Sequence, residues 1–178
     1  MLGHSASIVE SPAAGPIWRT RWQDEDDTRA FAQRLARGLQ TWPGGRDACI
    51  ALRGDLGAGK TTLVRHLLWA AGVQGRIKSP TYAVVEPHQA GSAEQPWPVW
   101  HFDFYRFSDP REWADAGFRD IFAGPGLKLM EWPENAGAQL PAADLNIELS
   151  LRSDEGRDVT LQAATARGQQ WLEALRAD

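Results

Sequence analysis

Gly54-Asp55-Leu56-Gly57-Ala58-Gly59-Lys60-Thr61, with Thr62 following, reads as G-x-x-x-x-G-K-[ST], the loop by which many proteins grip phosphate. Its glycines carry no Cβ, so successive backbone N–H groups can curl around phosphate oxygens. Lys60 adds a point charge at the β/γ end, and the Thr61 hydroxyl is placed to ligate Mg²⁺. Such a match arises by chance in roughly one chain in a hundred of this length, and the flanking sequence makes chance a poorer explanation still. Ala48-Cys49-Ile50-Ala51-Leu52-Arg53 is a short, mostly apolar run of the kind that fills a buried parallel strand. Beyond the loop, Leu63, Val64, Leu67 and Leu68 fall on one helical stripe. Strand, loop and helix in this order aim the helix's unpaired N–H groups and positive dipole end at bound phosphates, beside Thr61 and Thr62. Asp55, Leu56, Gly57, Ala58, Gly59, Lys60, Thr61 and Thr62 are therefore the expected contacts of a nucleoside triphosphate, with Mg²⁺ as its companion.

The 178 residues, 43% of them hydrophobic, suffice for one α/β domain with a real core and not for two. A net charge of −4 argues against a free-standing nucleic-acid binder, because phosphate contacts need a basic face; any RNA contact is expected to be shared with a partner. The single cysteine, Cys49, falls in what reads as the first strand and is expected to act as a small buried hydrophobe. No run approaches the ~18 apolar residues of a membrane span, and the N-terminal stretch lacks the pattern of a secretory signal. A cytoplasmic location without membrane contact is expected. The nine tryptophans follow no fixed period and mark no repeat.

Residues 1–16, rich in Ser, Ala, Gly and Pro, read as a disordered tail, leaving residues 17–178 as the domain. The acidic run Asp24-Glu25-Asp26-Asp27 opens a helix in which Phe31, Leu35 and Leu39 recur every four residues; carboxylates belong at a helix N-terminus, so the run is a cap and not a metal site. Pro43-Gly44-Gly45 ends that helix. Ser79-Pro80-Thr81-Tyr82 reads as a turn before a strand at residues 83–86, and the proline-bearing stretch Pro87–Pro98 as a long, mobile hairpin loop before a strand at Val99–Tyr105. Residues 109–116 read as helix, Leu127–Trp132 as a buried strand, Ile147–Leu151 and Val159–Ala163 as a late antiparallel pair, and Gln169–Arg176 as a closing helix. The fold class is thus α/β: a mainly parallel P-loop sheet flanked by helices, with antiparallel strands toward the edge.

A phosphate loop needs a partner acid, usually at the end of an apolar strand, to hold the magnesium shell or to position water. Leu127-Lys128-Leu129-Met130-Glu131 and Val99-Trp100-His101-Phe102-Asp103 both end in one. Glu131 is the favoured metal ligand with Thr61, and Asp103 then supports it or faces the attacking water; the residues alone leave the two roles exchangeable. Lys60, Asp103 and Glu131 are the expected catalytic group. His101, between Trp and Phe in a strand, reads as structural. Thr81 lies where switch segments of P-loop proteins often supply a hydroxyl to the metal or γ-phosphate.

Taken together, Thr28, the Gly54–Thr62 segment, Ser79-Pro80-Thr81-Tyr82, His101-Phe102-Asp103-Phe104-Tyr105-Arg106 and Glu131-Trp132-Pro133-Glu134 resemble the TsaE (formerly YjeE) family of small bacterial P-loop ATPases. They occur in the family's order over the whole domain but its ends. The resemblance implies a weak ATPase that acts with TsaB and TsaD in threonylcarbamoyladenosine modification of tRNA, with hydrolysis resetting the complex between rounds and tRNA met through that complex. It also implies that Thr28 lies near the adenine and Trp132 beside the nucleotide. No N-x-x-D motif of GTPases is evident, which favours ATP. Two other readings share the loop: a small-molecule or nucleotide kinase, for which the scattered arginines offer no evident lid, and a nucleotide-dependent binding module in which hydrolysis is incidental.

Overall fold

Residues 15–177, apart from Pro110 and Ala116, are described by a computed structural model. Their seven strands are β1 (Ile17–Trp22), β2 (Cys49–Arg53), β3 (Val85–Gly91), β4 (Pro96–Asp103), β5 (Leu127–Glu131), β6 (Leu145–Leu151) and β7 (Arg157–Ala163). The helices are α1 (Glu25–Thr41), α2 (Lys60–Ala70), α3 (Arg111–Asp115), α4 (Phe118–Ala123), α5 (Pro133–Ala136) and α6 (Ala166–Ala177). The strands form one sheet in the order β1-β7-β6-β2-β5-β4-β3. The four central strands, β6, β2, β5 and β4, run parallel, while β7 and β1 on one side and β3 on the other are antiparallel to their neighbours.

Burial on both faces explains why β2 and β5 are apolar almost throughout. Ile50 and Leu52 of β2 join Leu129, Ile147 and Leu161 on a face covered by Phe31, Leu35 and Leu39 of α1, Leu63 and Leu67 of α2, and Trp171 and Leu175 of α6. Ala51 and Met130 point the other way, into an aromatic cluster of Phe102 from β4 with Phe104, Phe107, Trp113 and Phe118 from the segment between β4 and β5. Several of these rings meet tilted or edge-on at centroid separations near 5 Å, such as Phe102–Phe118 at 5.3 Å, the geometry in which aromatic quadrupoles attract.

The acidic run behaves as a cap. Asp24 is the N-cap of α1 and accepts from the Asp26 and Asp27 amides at 2.9 and 3.2 Å, while Asp27 accepts from the Gln23 amide at 2.6 Å. Four differences from the sequence reading have physical causes. First, β1 precedes β2, so Cys49 begins the second strand and is partly exposed. Second, Pro16, expected in the tail, accepts a bond from the Ala163 amide and so lies along β7; residues 1–14 are outside the described residues. Third, the expected long loop at Pro87–Pro98 is mostly strand: β3 and β4 pair from Val85↔Phe102 to Gly91↔Pro96, leaving only residues 92–95 as the turn. Its prolines misled because they normally end strands, but β3 is an edge and β5 pairs with β4 only from Val99, so Pro87, Pro96 and Pro98 each have a side without a neighbour. Fourth, α4 and α5 are additional helical turns, each too short to show a period.

Asp144 fastens the sheet at the end away from the phosphate loop. Its buried carboxylate accepts from the Cys49 amide at 2.9 Å, from Thr165 Oγ1 at 2.7 Å and from Arg167 Nε and an Arg167 terminal nitrogen at 2.7 and 2.8 Å, so it joins the starts of β2, β6 and α6. Burial raises the pKa of this carboxyl, but the Arg167, Cys49 and Thr165 hydrogen bonds outweigh it and hold the value below the ordinary 3.8. A depressed folded-state pKa contributes stability that is present above the unfolded value and is lost as pH falls through the folded one. Asp144→Asn is expected to lower unfolding free energy by about 1.5–3 kcal/mol at neutral pH. Denaturant unfolding checks it: the gap between the two proteins should close below pH 3.8.

Candidate nucleotide site

The parallel pairing of β2 with β5 sets Leu52 beside Glu131, and that of β4 with β5 sets Asp103 beside Glu131. All three strands therefore deliver their C-terminal ends to one edge, where open α/β sheets carry their ligands. The chain leaves β2 through Gly54, whose φ of +134° and close approach to the Leu149 carbonyl exclude a side chain. It turns through Gly57 and Gly59, also at positive φ, and enters α2 at Lys60, so the first amides of α2 point into the cleft.

Thr61 and Glu131 meet there. Thr61 Oγ1 lies 3.0 and 2.8 Å from the two oxygens of the Glu131 carboxylate, which is buried at 2% exposure. The His101 imidazole, fully buried on β4, approaches Glu131 Oε1 to 2.8 Å through Nε2. Asp103 makes a second centre. Its Oδ1 accepts from the Tyr105 amide at 3.0 Å, and its Oδ2 accepts from Ser79 Oγ and from Thr81 Oγ1 at 3.0 Å. The Ser79–Thr81 turn is thus tied to the end of β4. Val84 beyond it has φ +68°, a costly conformation for a β-branched residue, and its carbonyl accepts from the Asp103 amide.

Lys60 donates to the carbonyls of Gly54 and Asp55 at 2.5 and 2.9 Å, and its ammonium lies 4.1 Å from the centroid of the Trp132 ring. Trp132 is itself in the left-handed region at φ +55° and packs against Tyr105. The cleft so formed is lined by Leu56, Gly57, Gly59, Lys60, Thr61, Thr62, Thr81, Asp103, Glu131 and Trp132, all expected from the sequence. Ser79, Tyr105 and Arg157 join them unexpectedly. Asp55 supplies a carbonyl to Lys60, but its side chain lines neither this cleft nor its neighbour.

Thr28 lies in the adjoining cavity, on the other side of the loop. Trp22, Gln23, Asp24, Ala58, Gly59, Thr62, Gly156 and Arg157 line it with Thr28. No local sequence signal marks this wall, since β1, α1, the phosphate loop and the β6–β7 turn reach it from distant positions. Arg157 borders both cavities and donates through Nε to the Ala58 carbonyl at 2.6 Å, bracing the loop.

The donor set suits a hard cation. Magnesium is held by one or two carboxylates together with substrate phosphates and waters, and prefers oxygen. Among the described residues no three acidic, histidine or cysteine groups gather to hold a metal by themselves. The Thr61 hydroxyl and Glu131 carboxylate, already adjacent, fit the protein's share of such a site.

A family model described as "Threonylcarbamoyl adenosine biosynthesis protein TsaE" matches residues 22–159. The chain belongs to the TsaE family. It is 36% identical over 152 residues to the Haemophilus influenzae protein named "tRNA threonylcarbamoyladenosine biosynthesis protein TsaE", covering 85% of this chain and 93% of that one. It is 32% identical over 158 residues to the Bacillus subtilis protein of the same name, covering 89% and 92%. The crystal structure of Bacillus subtilis YdiB superimposes with a TM-score of 0.72 at 28% identity over 92% of this chain and 96% of that one. TsaE membership accounts for the order in which the five sequence motifs appear.

Burial depresses the Lys60 pKa below the ordinary 10.5, against the opposing pull of Glu131 and Glu134. Phosphate prefers the ammonium form, so affinity falls as pH rises through the lowered value. Should a nucleoside triphosphate bind here, its affinity measured by calorimetry between pH 7 and 10 is expected to decline earlier than an ordinary lysine would allow. Lys60→Arg, which cannot lose its proton in this range, should flatten that decline.

Proposed function

We propose that this TsaE-family chain is a slow Mg²⁺-dependent ATPase that serves tRNA threonylcarbamoyladenosine biosynthesis with TsaB and TsaD, hydrolysis resetting that complex between rounds. The observation that carries this reading is the Thr61–Glu131 pair at the mouth of a phosphate loop. The family names printed for its relatives supply the pathway. No helix among the described residues is long and apolar enough to cross a membrane, in keeping with a cytoplasmic role beside tRNA.

In this reading the amides of Gly57–Lys60 and the Lys60 ammonium bind the β- and γ-phosphates and offset the charge that builds there. The ammonium leaves the Gly54 and Asp55 carbonyls to do so. Mg²⁺, held by Thr61 and Glu131, would neutralise phosphate charge. Asp103 orients the attacking water, and the Ser79–Thr81 turn, hydrogen-bonded to the same carboxylate, is the segment that senses the γ-phosphate. Trp132 shields Lys60 from solvent. The cavity around Thr28 and Trp22 takes the adenine.

The geometry also favours a low intrinsic rate. An arginine aimed at the transferred phosphoryl group is worth about 10³–10⁵ in turnover. Arg157, the arginine bordering the cleft, spends its guanidinium on the carbonyls of Ala58, Glu155 and Gly156. A partner that adds positive charge, or frees Arg157, would raise the rate. Short polar groups, Ser79, Thr81 and Asp103, face the cleft, and these suit water better than a bulky phosphoryl acceptor.

ATP hydrolysis by the purified chain, alone and then with TsaB, TsaD and tRNA, tests the proposal, with Lys60→Ala as the blank. A slow rate raised by the partners is expected. Glu131→Gln and Asp103→Asn should lower turnover by at least about tenfold and weaken ATP binding less. Normal turnover in all three variants would remove the site assignment, and phosphate delivered to a small acceptor would favour a kinase.

A further inference from the structure

His101 belongs to the strand that carries Asp103, but its imidazole points across to Glu131 on β5. A carboxylate can only accept, so this contact requires a proton on Nε2. In the Nε2–H tautomer Nδ1 is an acceptor, and it is buried with no partner among the described residues. Leaving such an atom unpaired costs about 1–3 kcal/mol. A second imidazole has the complementary need. His88, on edge strand β3, has a buried Nε2 that also lacks a partner among the described residues. The two ring centroids are 6.4 Å apart with the planes tilted by 32°. The two rings make no direct N–H···N bond, and a single bridging water is the partner that would satisfy both nitrogens. Glu86, directly opposite His101 in the β3–β4 register, adds a third polar group beside them.

We propose that His101 is a positioning residue for Glu131, and that His88 fixes it through one buried water bridging His88 Nε2 and His101 Nδ1. The chain then runs from His88 through water to His101, from His101 Nε2–H to Glu131, and from Glu131 to Thr61. Its effect is to hold the Glu131 carboxylate at one angle to the Thr61 hydroxyl before any ligand arrives. Groups that orient metal ligands in this way typically contribute 10–100-fold to metal affinity. Burial lowers the His88 pKa, which favours the neutral ring, and its Nε2–H tautomer is the one that donates to the water.

The proposal rests on the Mg²⁺–ATP reading of the site, and its test separates the two. ATP binding to the full chain is measured by calorimetry in Mg²⁺ and in EDTA. His101→Phe is expected to leave affinity in EDTA unchanged and to reduce the Mg²⁺-dependent gain by about tenfold or more. His101→Gln, whose amide nitrogen reaches as far as Nε2, should recover most of that gain, and His88→Phe should lose a smaller part of it. A full Mg²⁺ gain in His101→Phe would overturn the proposal. Histidine ¹⁵N spectra of the wild-type chain give a readout that no variant's folding can obscure. The Nε2–H tautomer with a hydrogen-bonded Nδ1 is expected for His101, and an Nδ1–H tautomer would overturn the inference. Absence of any Mg²⁺ gain in the wild type would instead count against the ATPase reading, leaving the tautomer to decide the positioning role.

Discussion

The structure depends on the parallel pairing of β2 with β5. It places Leu52 beside Glu131, so that a strand ending in a glycine turn and a strand ending in a carboxylate finish at the same level. A carboxylate at 2% exposure is costly unless its oxygens are engaged. Thr61, the first hydroxyl of α2, and His101, from the next parallel strand, engage them. One strand register thereby couples the phosphate loop, the buried acid Glu131 and the third strand of the site. A slip of one residue would turn Glu131 to the opposite face, among the aromatic rings.

The two ends of the sheet solve the same problem in opposite ways. At one end Asp144 is saturated with donors, including both sides of the Arg167 fork, and is a structural clamp. At the other, Glu131 and Asp103 are held by hydroxyls, an imidazole and one amide, with no guanidinium fork on either carboxylate. A cation is the natural complement of that end. Lys60, although close by, spends its donors on backbone carbonyls and its face on Trp132, which holds the loop in shape.

Much of this was legible in the sequence. β2, the loop and α2 announce themselves because the glycine spacing and the apolar stripe are local. Glu131 and Asp103 were legible as acids ending apolar strands, and the register that joins them follows from parallel neighbours. What was hidden depends on distant pairing. β1 alternates Trp18, Thr20 and Trp22 inward with Arg19 and Arg21 outward, but an edge strand is stable only beside β7, which lies at the far end of the chain. The wall around Thr28 needs the same pairing, because Trp22 and Arg157 are register partners. The contact of His101 was hidden for another reason. Its neighbours Trp100 and Phe102 suggested packing, whereas the alternation of a strand sends it to the opposite face from them and onto Glu131. The prolines of the β3–β4 hairpin masked a regular ladder.

A crystal structure with Mg²⁺ and a non-hydrolysable ATP analogue tests the central claim most directly. The account predicts a metal about 2.0–2.1 Å from Thr61 Oγ1, with Glu131 on the same ion directly or through one water. It also predicts triphosphate along the Gly57–Lys60 amides and adenine in the cavity between Thr28 and Arg157. A triphosphate bound away from this loop, or a metal that ignores both Thr61 and Glu131, would contradict it.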